Sequence, residues 1–320
     1  MTTPPEQPPP PPEEQALVAL EEQASHTVRH LVEAAIAAGI TAAALMALRD
    51  AVMSVVRAAV RRAVRLGAAL GARGARLARP RGRGPRARAA GPRRRPAARR
   101  PQRPVAPRMP QTTVLETRAA QEIRAVLDQG AAAVRSAPDE RRVREAAERV
   151  ASRLSAVAAT AVNQAASMGV DAVARQAGAD GVMWIAERDA CLTCTALSGQ
   201  IVRVGERFPV NRTFGDKPLL WRGFTGRPPR HPSCRCRCRP VWGDAQGAAD
   251  ALRREARRSV VRGFSLPSES QAARLRAADR LLRRGANLPV TVEEYGRDAV
   301  RAGRFPRGRA VPTGAGRRRP

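Results

Sequence analysis

Between Glu13 and about Leu77 the apolar residues Ile36, Ile40, Leu45, Leu48, Val52, Val56, Val60 and Val64 recur at intervals of three to five, with Arg49, Arg57, Arg61, Arg62 and Arg65 between them. Leu66 and Leu70 extend the run before Gly71 and Gly74 weaken it. This spacing predicts one long amphipathic helix, or two shorter ones broken near Gly39. A helix of this kind is marginal alone, so its apolar stripe needs a cover, and packing against another subunit is expected. Helical periodicity returns from Thr113 to about Gly169. One segment spans Glu116 to Val134 and ends near Ser136 to Pro138. The next starts at Pro138, with Asp139 and Glu140 in its first turn, and continues through Val143, Ala147, Val150, Leu154, Val157 and Val162. Gly178 to Gly181 breaks it. Gly181 to Glu187 and Gln200 to Gly205 then read as short strands. After Trp242 the pattern predicts a helix over Asp244 to Arg262. Ser268-Glu-Ser-Gln271 reads as a capping box opening a second helix that ends near Gly285, and Thr291-Val-Glu-Glu294 as another, opening a third that ends near Gly303.

These elements divide the chain. Residues 1–12, nearly all proline, threonine and glutamate, predict a disordered tail. Residues 13–80 form a helical arm. Residues 81–112 form a linker in which Arg81 to Pro110 holds eleven arginines, seven prolines, three glycines and no acid, a composition that predicts disorder. Residues 113–243 form the principal module, 244–303 a set of carboxyl-terminal helices, and 304–320 a disordered basic tail. The expected fold class is mainly α, with a long helical amino-terminal arm and a small α+β module stapled by zinc.

Aromatic residues make up only 3% of the 320 residues, so a single large globule is not expected. The net charge of +30 is carried by arginine, since Lys217 is the only lysine. Abundant arginine with scarce lysine is partly what a GC-rich genome writes, but the scarcity of acids still predicts attraction to a polyanion. Arg81, Arg83, Arg86, Arg88, Arg93, Arg94, Arg95, Arg99 and Arg100 are the candidate phosphate contacts, reading no sequence. Met1 to Glu14 is proline-rich and acidic where a secretory signal is basic and apolar. The uncharged run Ala34 to Leu48 has 15 residues, short of the roughly 20 a membrane span needs, and no membrane partner is expected. His26 and His30, one helical turn apart, read as surface residues, because no carboxylate or third ligand is evidently placed with them.

All five cysteines and one of the three histidines lie between Trp184 and Pro240. Cys191-Leu-Thr-Cys194 and His231-Pro-Ser-Cys234 have the spacing of the two knuckles from which four-ligand zinc sites are built. In a reducing cytoplasm such a cluster reads as a metal site and not as disulfides. Cys191, Cys194, His231, Cys234 and Cys236 are the candidate ligands, with Cys238 as a substitute. Phe214, Trp221 and Phe224, in the loop between the knuckles, are the expected cover over the site.

The run from Trp184 through Asp189, Cys191, Cys194, Leu197 and Gly199, closed by His231, Pro232, Cys234, Arg235, Cys236 and Pro240, resembles the signature of phage head-morphogenesis proteins, the Mu F-like minor head protein family. The resemblance covers roughly residues 145–243 and departs from the pattern in the extra Cys238. It implies a minor head or capsid protein of a tailed phage, associated with the portal or inner capsid, oligomeric in the assembled head, and made in the host cytoplasm before entering the virion. Portal and other head proteins, and phage DNA through the linker and tail, are the implied partners. No enzyme activity is expected. A zinc-containing nuclease or toxin-type enzyme is the main alternative, and a cellular nucleic-acid-binding zinc protein the other. Against an enzyme, His231 is the module's only histidine and is consumed as a ligand, leaving no general base. Trp184, Asp189, Gly199 and Pro232 are therefore expected to shape or support the site, with Asp189 the one residue open to a catalytic reading.

Overall fold

The structure, a computed structural model, describes residues 10–78, 110–264 and 269–305. The expectations for the proline-rich tail up to residue 9, for the linker arginines Arg81 to Arg100 and for residues beyond 305 lie outside the described residues. Four long helices come first: α1 (Pro12–Ala37), α2 (Ala42–Ala78), α3 (Thr113–Arg135) and α4 (Glu140–Gln176). A three-stranded antiparallel sheet follows, of β1 (Gly181–Ile185), β2 (Ile201–Arg203) and β3 (Arg237–Val241), with the one-turn helix α5 (Leu192–Thr195) between β1 and β2. Three shorter helices close the described chain: α6 (Gln246–Val261), α7 (Gln271–Arg283) and α8 (Val290–Arg301). The fold is mainly α with one small sheet, as the periodicity predicts.

The break near Gly39 is present, with Gly39 at φ 86° between α1 and α2. The two helices do not need another subunit to cover their stripe. Leu17, Val28 and Val32 of α1, and Leu45, Val52, Val56 and Val60 of α2, share one core with Ile123 and Leu127 of α3 and Leu154 and Val162 of α4. The amino-terminal arm is thus packed within the chain. The reason lies in α4, where Ala158 to Ser167 are ten consecutive buried positions. A helix buried all round serves as the centre of a bundle, not as one flank. Its small residues let neighbours approach closely. A Cβ on Gly67 of α2 would stand 2.0 Å from the carbonyl oxygen of Ala166, and one on Gly169 of α4 would stand 2.2 Å from that of Val64. Close approach buries apolar surface without bulky side chains, so the scarcity of aromatics does not prevent a sizeable shared core.

The arm is also tied to the sheet by charge. Arg237 of β3 donates to Glu21 of α1 at 3.3 Å, both side chains about one-tenth exposed. Arg227 likewise donates to Asp171 of α4 at 2.9 Å.

Helix starts differ in detail from those expected. Asp139 is the cap of α4 and accepts from the Arg142 amide at 2.8 Å, so Pro138 lies before the helix. Ser270, not Ser268, caps α7, accepting from the Ala273 amide, and α8 begins at Val290 after Pro289 without a side-chain cap. The third strand, β3, is absent from the expectations, where its residues are read only as ligands and motif positions. Since β3 is an edge strand, Pro240 leaves no interior ladder bond unmade. No helix among the described residues is long and apolar enough to cross a membrane.

The close crossing of α2 and α4 gives a direct test. Gly169→Ala should lower unfolding stability by about 1–3 kcal/mol, the range for overpacking a tight contact. Gly247→Ala in α6, where an added Cβ meets nothing within 4 Å, should leave stability unchanged or raise it by up to about 1 kcal/mol. Urea denaturation of both variants measures the difference, and equal midpoints would mean that the helices do not approach so closely.

Candidate metal centre

The first knuckle is a single turn. Cys191 is the N-cap of α5, and its Sγ accepts from the Cys194 amide at 3.4 Å. Thr195 steadies the turn by donating to the carbonyl oxygens of Ala190 and Cys191. The second knuckle hangs on α4. Asn163, fully buried, donates its Nδ2 to the Cys234 carbonyl, and Thr160 Oγ1 accepts from the Ser233 amide at 3.2 Å. Ser233, between His231 and Cys234 in the sequence, sits at φ 60°, in the left-handed region.

The knuckles, 40 residues apart, meet. Cys191 Sγ lies 3.2 Å from His231 Nε2, and Cys194 Sγ lies 3.7 Å from Cys234 Sγ. Cys191, Cys194 and His231 form one group and Cys194, Cys234 and Cys236 another, the donor atoms of each lying within 4.8 Å of one another and all residues buried. A tetrahedral ion with sulfur bonds of about 2.3 Å holds its sulfurs about 3.8 Å apart, which is the Cys194–Cys234 separation. His231 Nδ1 lies 2.8 Å from the Pro232 carbonyl oxygen. That contact fixes the tautomer with the proton on Nδ1 and leaves Nε2 free to bind an ion. The residues therefore fit a metal, and five of them offer donors to a four-coordinate ion.

Electrostatics agree. The hydrogen bond accepted from the Cys194 thiol, against the opposing effect of burial, holds the Cys191 thiol down to about 5. Burial works against a charge on His231, yet its contact with Cys191 and the charges of Cys234 and Cys191 raise it to about 9. Donation to its Cys191 partner pushes the Cys194 thiol up. Burial opposes ionisation of Cys234, but the hydrogen bonds from Cys194 and Cys236 outweigh it and lower that thiol. Without an ion the cluster is thus a thiolate–imidazolium pair with shared protons, and a cation would replace those protons. Arg230, 1% exposed, stands beside the thiolates, stacks on Phe224 at 4.3 Å and donates to the Val210 carbonyl. It supplies the buried positive charge that a thiolate-rich site calls for.

The structure places the other expected residues as follows. Cys238 belongs to neither ligand group. It is opposite Trp184 in the β1–β3 ladder, and burial pushes its thiol up. Its two-residue offset along β3 carries it past the cluster, so it does not stand in for a ligand. Trp184 is fully buried and meets Phe208 edge-on at 5.2 Å and Phe224 at 6.4 Å. Of the three aromatics expected as cover, only Phe224 lies there. Phe214 packs with the carboxyl-terminal helices, and Trp221 lies under the Arg118 guanidinium at 5.0 Å. Gly199, at φ 71°, has no room for a Cβ, which would stand 2.2 Å from the Ala249 carbonyl oxygen of α6. Asp189 pairs with Arg235 at 2.5 Å across the two knuckles, both side chains about half exposed. Pro232 is exposed and contributes its carbonyl to His231. His26 and His30 are exposed, and His30 pairs with Glu33 at 3.2 Å, a carboxylate overlooked when the sequence is read alone.

Sequence reasoning missed Thr160, Asn163, Phe208 and Arg230. The first two had a signal, being polar residues inside an otherwise apolar run. The carboxyl-terminal helices also reach the site. Leu192 of α5 shares a core with Val260, Leu281 and Val292, and its amide donates to Glu269 at 3.0 Å. A cavity of about 10 Å³ opens beside the cluster, lined by Asp189, Cys191, His231 and Cys236 among others. That is room for an ion or a single water, and no substrate fits it.

Comparison with protein-family models, with curated proteins and with solved structures gives no match.

Cation binding should release protons. At pH 7 Cys191, held down to about 5, is ionised, whereas His231, raised to about 9, and Cys194, raised above the ordinary thiol value, each hold a proton, so a site using them should release about two protons per ion. Affinity should fall as pH is lowered, because protons then compete for the same donors. Calorimetry of the metal-depleted chain in buffers of differing ionisation enthalpy measures the release, and zero release would rule out this ligand set.

Proposed function

We propose that the chain is a structural, non-enzymatic minor head protein of a tailed phage, of the Mu F-like type, and that its cysteine cluster holds one Zn²⁺. Zinc is the reading that soft thiolates, one imidazole and tetrahedral spacing favour, since it needs no redox partner and accepts mixed nitrogen and sulfur donors. Cys191, Cys194 and His231 supply three ligands, and one of Cys234 and Cys236 the fourth.

The observation that carries the non-enzymatic reading is that each motif residue has a structural partner. Trp184 meets Phe208, Gly199 makes room for α6, Pro232 orients His231, and Asp189 pairs with Arg235. An active site would be expected to leave a titratable group in a cleft large enough for substrate. Asp189, the former catalytic candidate, faces an arginine, and the adjoining cavity admits only an ion or a water. The phage assignment rests on the motif resemblance. In this reading the protein acts in head assembly beside the portal or inner capsid, and the linker arginines and basic tail contact packaged DNA through phosphates.

Elemental analysis of the purified chain should find about one zinc per molecule, and Cys191→Ser should lose it together with the cooperative melt. Asp189→Asn should keep the metal and lose at most about 1 kcal/mol, because an exposed ion pair is worth no more than that. Introduced into the phage that encodes this chain, Asp189→Asn should still give infectious particles and Cys191→Ser should not. Normal-looking but inert particles from Asp189→Asn would return the case to an enzyme.

A further inference from the structure

A second site lies next to the first knuckle. Between the segment Thr195 to Ile201 and the face of α6 there is a cleft of about 330 Å³ that shares no lining residue with the cavity beside the cysteines. Three guanidiniums line it, those of Arg212, Arg253 and Arg257, and no carboxylate does. Arg212 is held by Gln200, whose amide oxygen, turned toward it, accepts from Nε and Nη1 at 3.0 Å each. The other edge of that guanidinium stays open. Arg253 pairs with Asp250 at 2.8 Å, outside the lining. Arg257 makes no ion pair or hydrogen bond among the described residues, and neither does the Ser198 hydroxyl, although Ser198 is only 5% exposed.

With no carboxylate in the lining and an acidic partner only for Arg253, the three guanidiniums give the cleft a positive potential that an anion relieves. Guanidinium forks match the oxygens of a phosphate, and a hydroxyl completes the set of donors. The volume lies near the lower end for ligand sites, about 300 Å³. The only aromatic lining it, Phe214, is packed with the core of the carboxyl-terminal helices and is not a free platform for a base. The cleft therefore offers guanidinium donors to a phosphate and no free aromatic face on which a base could stack. A net charge of +30 draws polyanions toward it. We infer that the cleft formed by Arg212, Arg253 and Arg257 seats the phosphodiester backbone of a nucleic acid, without sequence preference. Its lining residues are other than those of the arginine linker, and the inference does not depend on the head-protein reading.

The test uses the full chain and a short DNA duplex, with affinity followed by fluorescence anisotropy across a salt series. Arg212→Gln with Arg257→Gln should lower affinity about tenfold at moderate salt and reduce the logarithmic salt slope by about two, one for each lost phosphate contact. Arg144→Gln with Arg149→Gln removes the same charge from exposed, unpaired positions of α4 and should change affinity less than about twofold. Equal effects from the two pairs would overturn the site, since binding would then follow net charge alone. Inorganic phosphate, followed by phosphorus relaxation, separates the sources. If phosphate binding is lost in the Arg212/Arg257 variant while its duplex affinity matches that of the α4 control, the cleft takes free phosphate and the nucleic-acid assignment fails. Should the double variant melt early, Arg257→Gln alone, which has no hydrogen bond to lose, carries the same test with about half the change in slope.

Discussion

The site stands where α4 puts it. Thr160 and Asn163 lie one turn apart on that helix and hold the backbone of Ser233 and Cys234, so the second knuckle has no position of its own. The same stretch of α4 is the most buried part of the bundle, pressed against α2 at Gly67 and Gly169 and against α1 where Ser25 and Ser155 exchange hydroxyl-to-carbonyl bonds. A change in how α4 packs is thus a change in where His231 and Cys234 meet Cys191 and Cys194. Interiors of small residues transmit such shifts because no flexible side chain absorbs them.

Charge does two different things in this chain. Part of the arginine surplus is absorbed by the fold. Arg237 and Arg227 are nearly buried and paired with Glu21 and Asp171, and Arg230 is buried beside the thiolates and under Phe224. Such pairs add little net stability, because desolvation offsets most of their attraction, but breaking one leaves a buried charge unpaired. Their effect is on register: Glu21 fixes where α1 lies along β3, and Asp171 fixes the inter-knuckle loop against α4. The arginines at the α6 cleft are of the other kind, exposed or half-exposed and without enough acids to neutralise them. Composition alone counts both kinds together.

A cysteine–histidine cluster that could hold a metal and the helical bundle share α4. The segment between the knuckles, residues 195–230, holds only the short strand β2 as a regular element beyond the end of α5, and each of its ends adjoins a knuckle. An ion closing the cluster would fix both ends of that loop, removing much of the entropy it could gain by opening. The carboxyl-terminal helices add to this through Leu192, which caps their small core, and through Asp216, which pairs with Arg276 and Arg280.

The sequence by itself determined the elements that have a period and the residues that have a chemistry. The helices, the break at Gly39, two of the three strands and the five residues of the cluster were legible, because 3.6-residue spacing, glycine and Cys-x-x-Cys are local signals. Tertiary structure decided what the faces meet. It turned the arm of α1 and α2 inward onto α4, because alanine and glycine on both sides allow a close approach that periodicity does not reveal. It set Cys238 apart from the ligands, because β3 continues past the site and pairs Cys238 with Trp184. It distributed Phe208, Phe214, Trp221 and Phe224 among separate contacts, and it brought Arg212, Arg253 and Arg257 together from a loop and a helix. Each outcome depends on distances between residues far apart in the chain, and those are set by packing, which leaves no mark on local spacing.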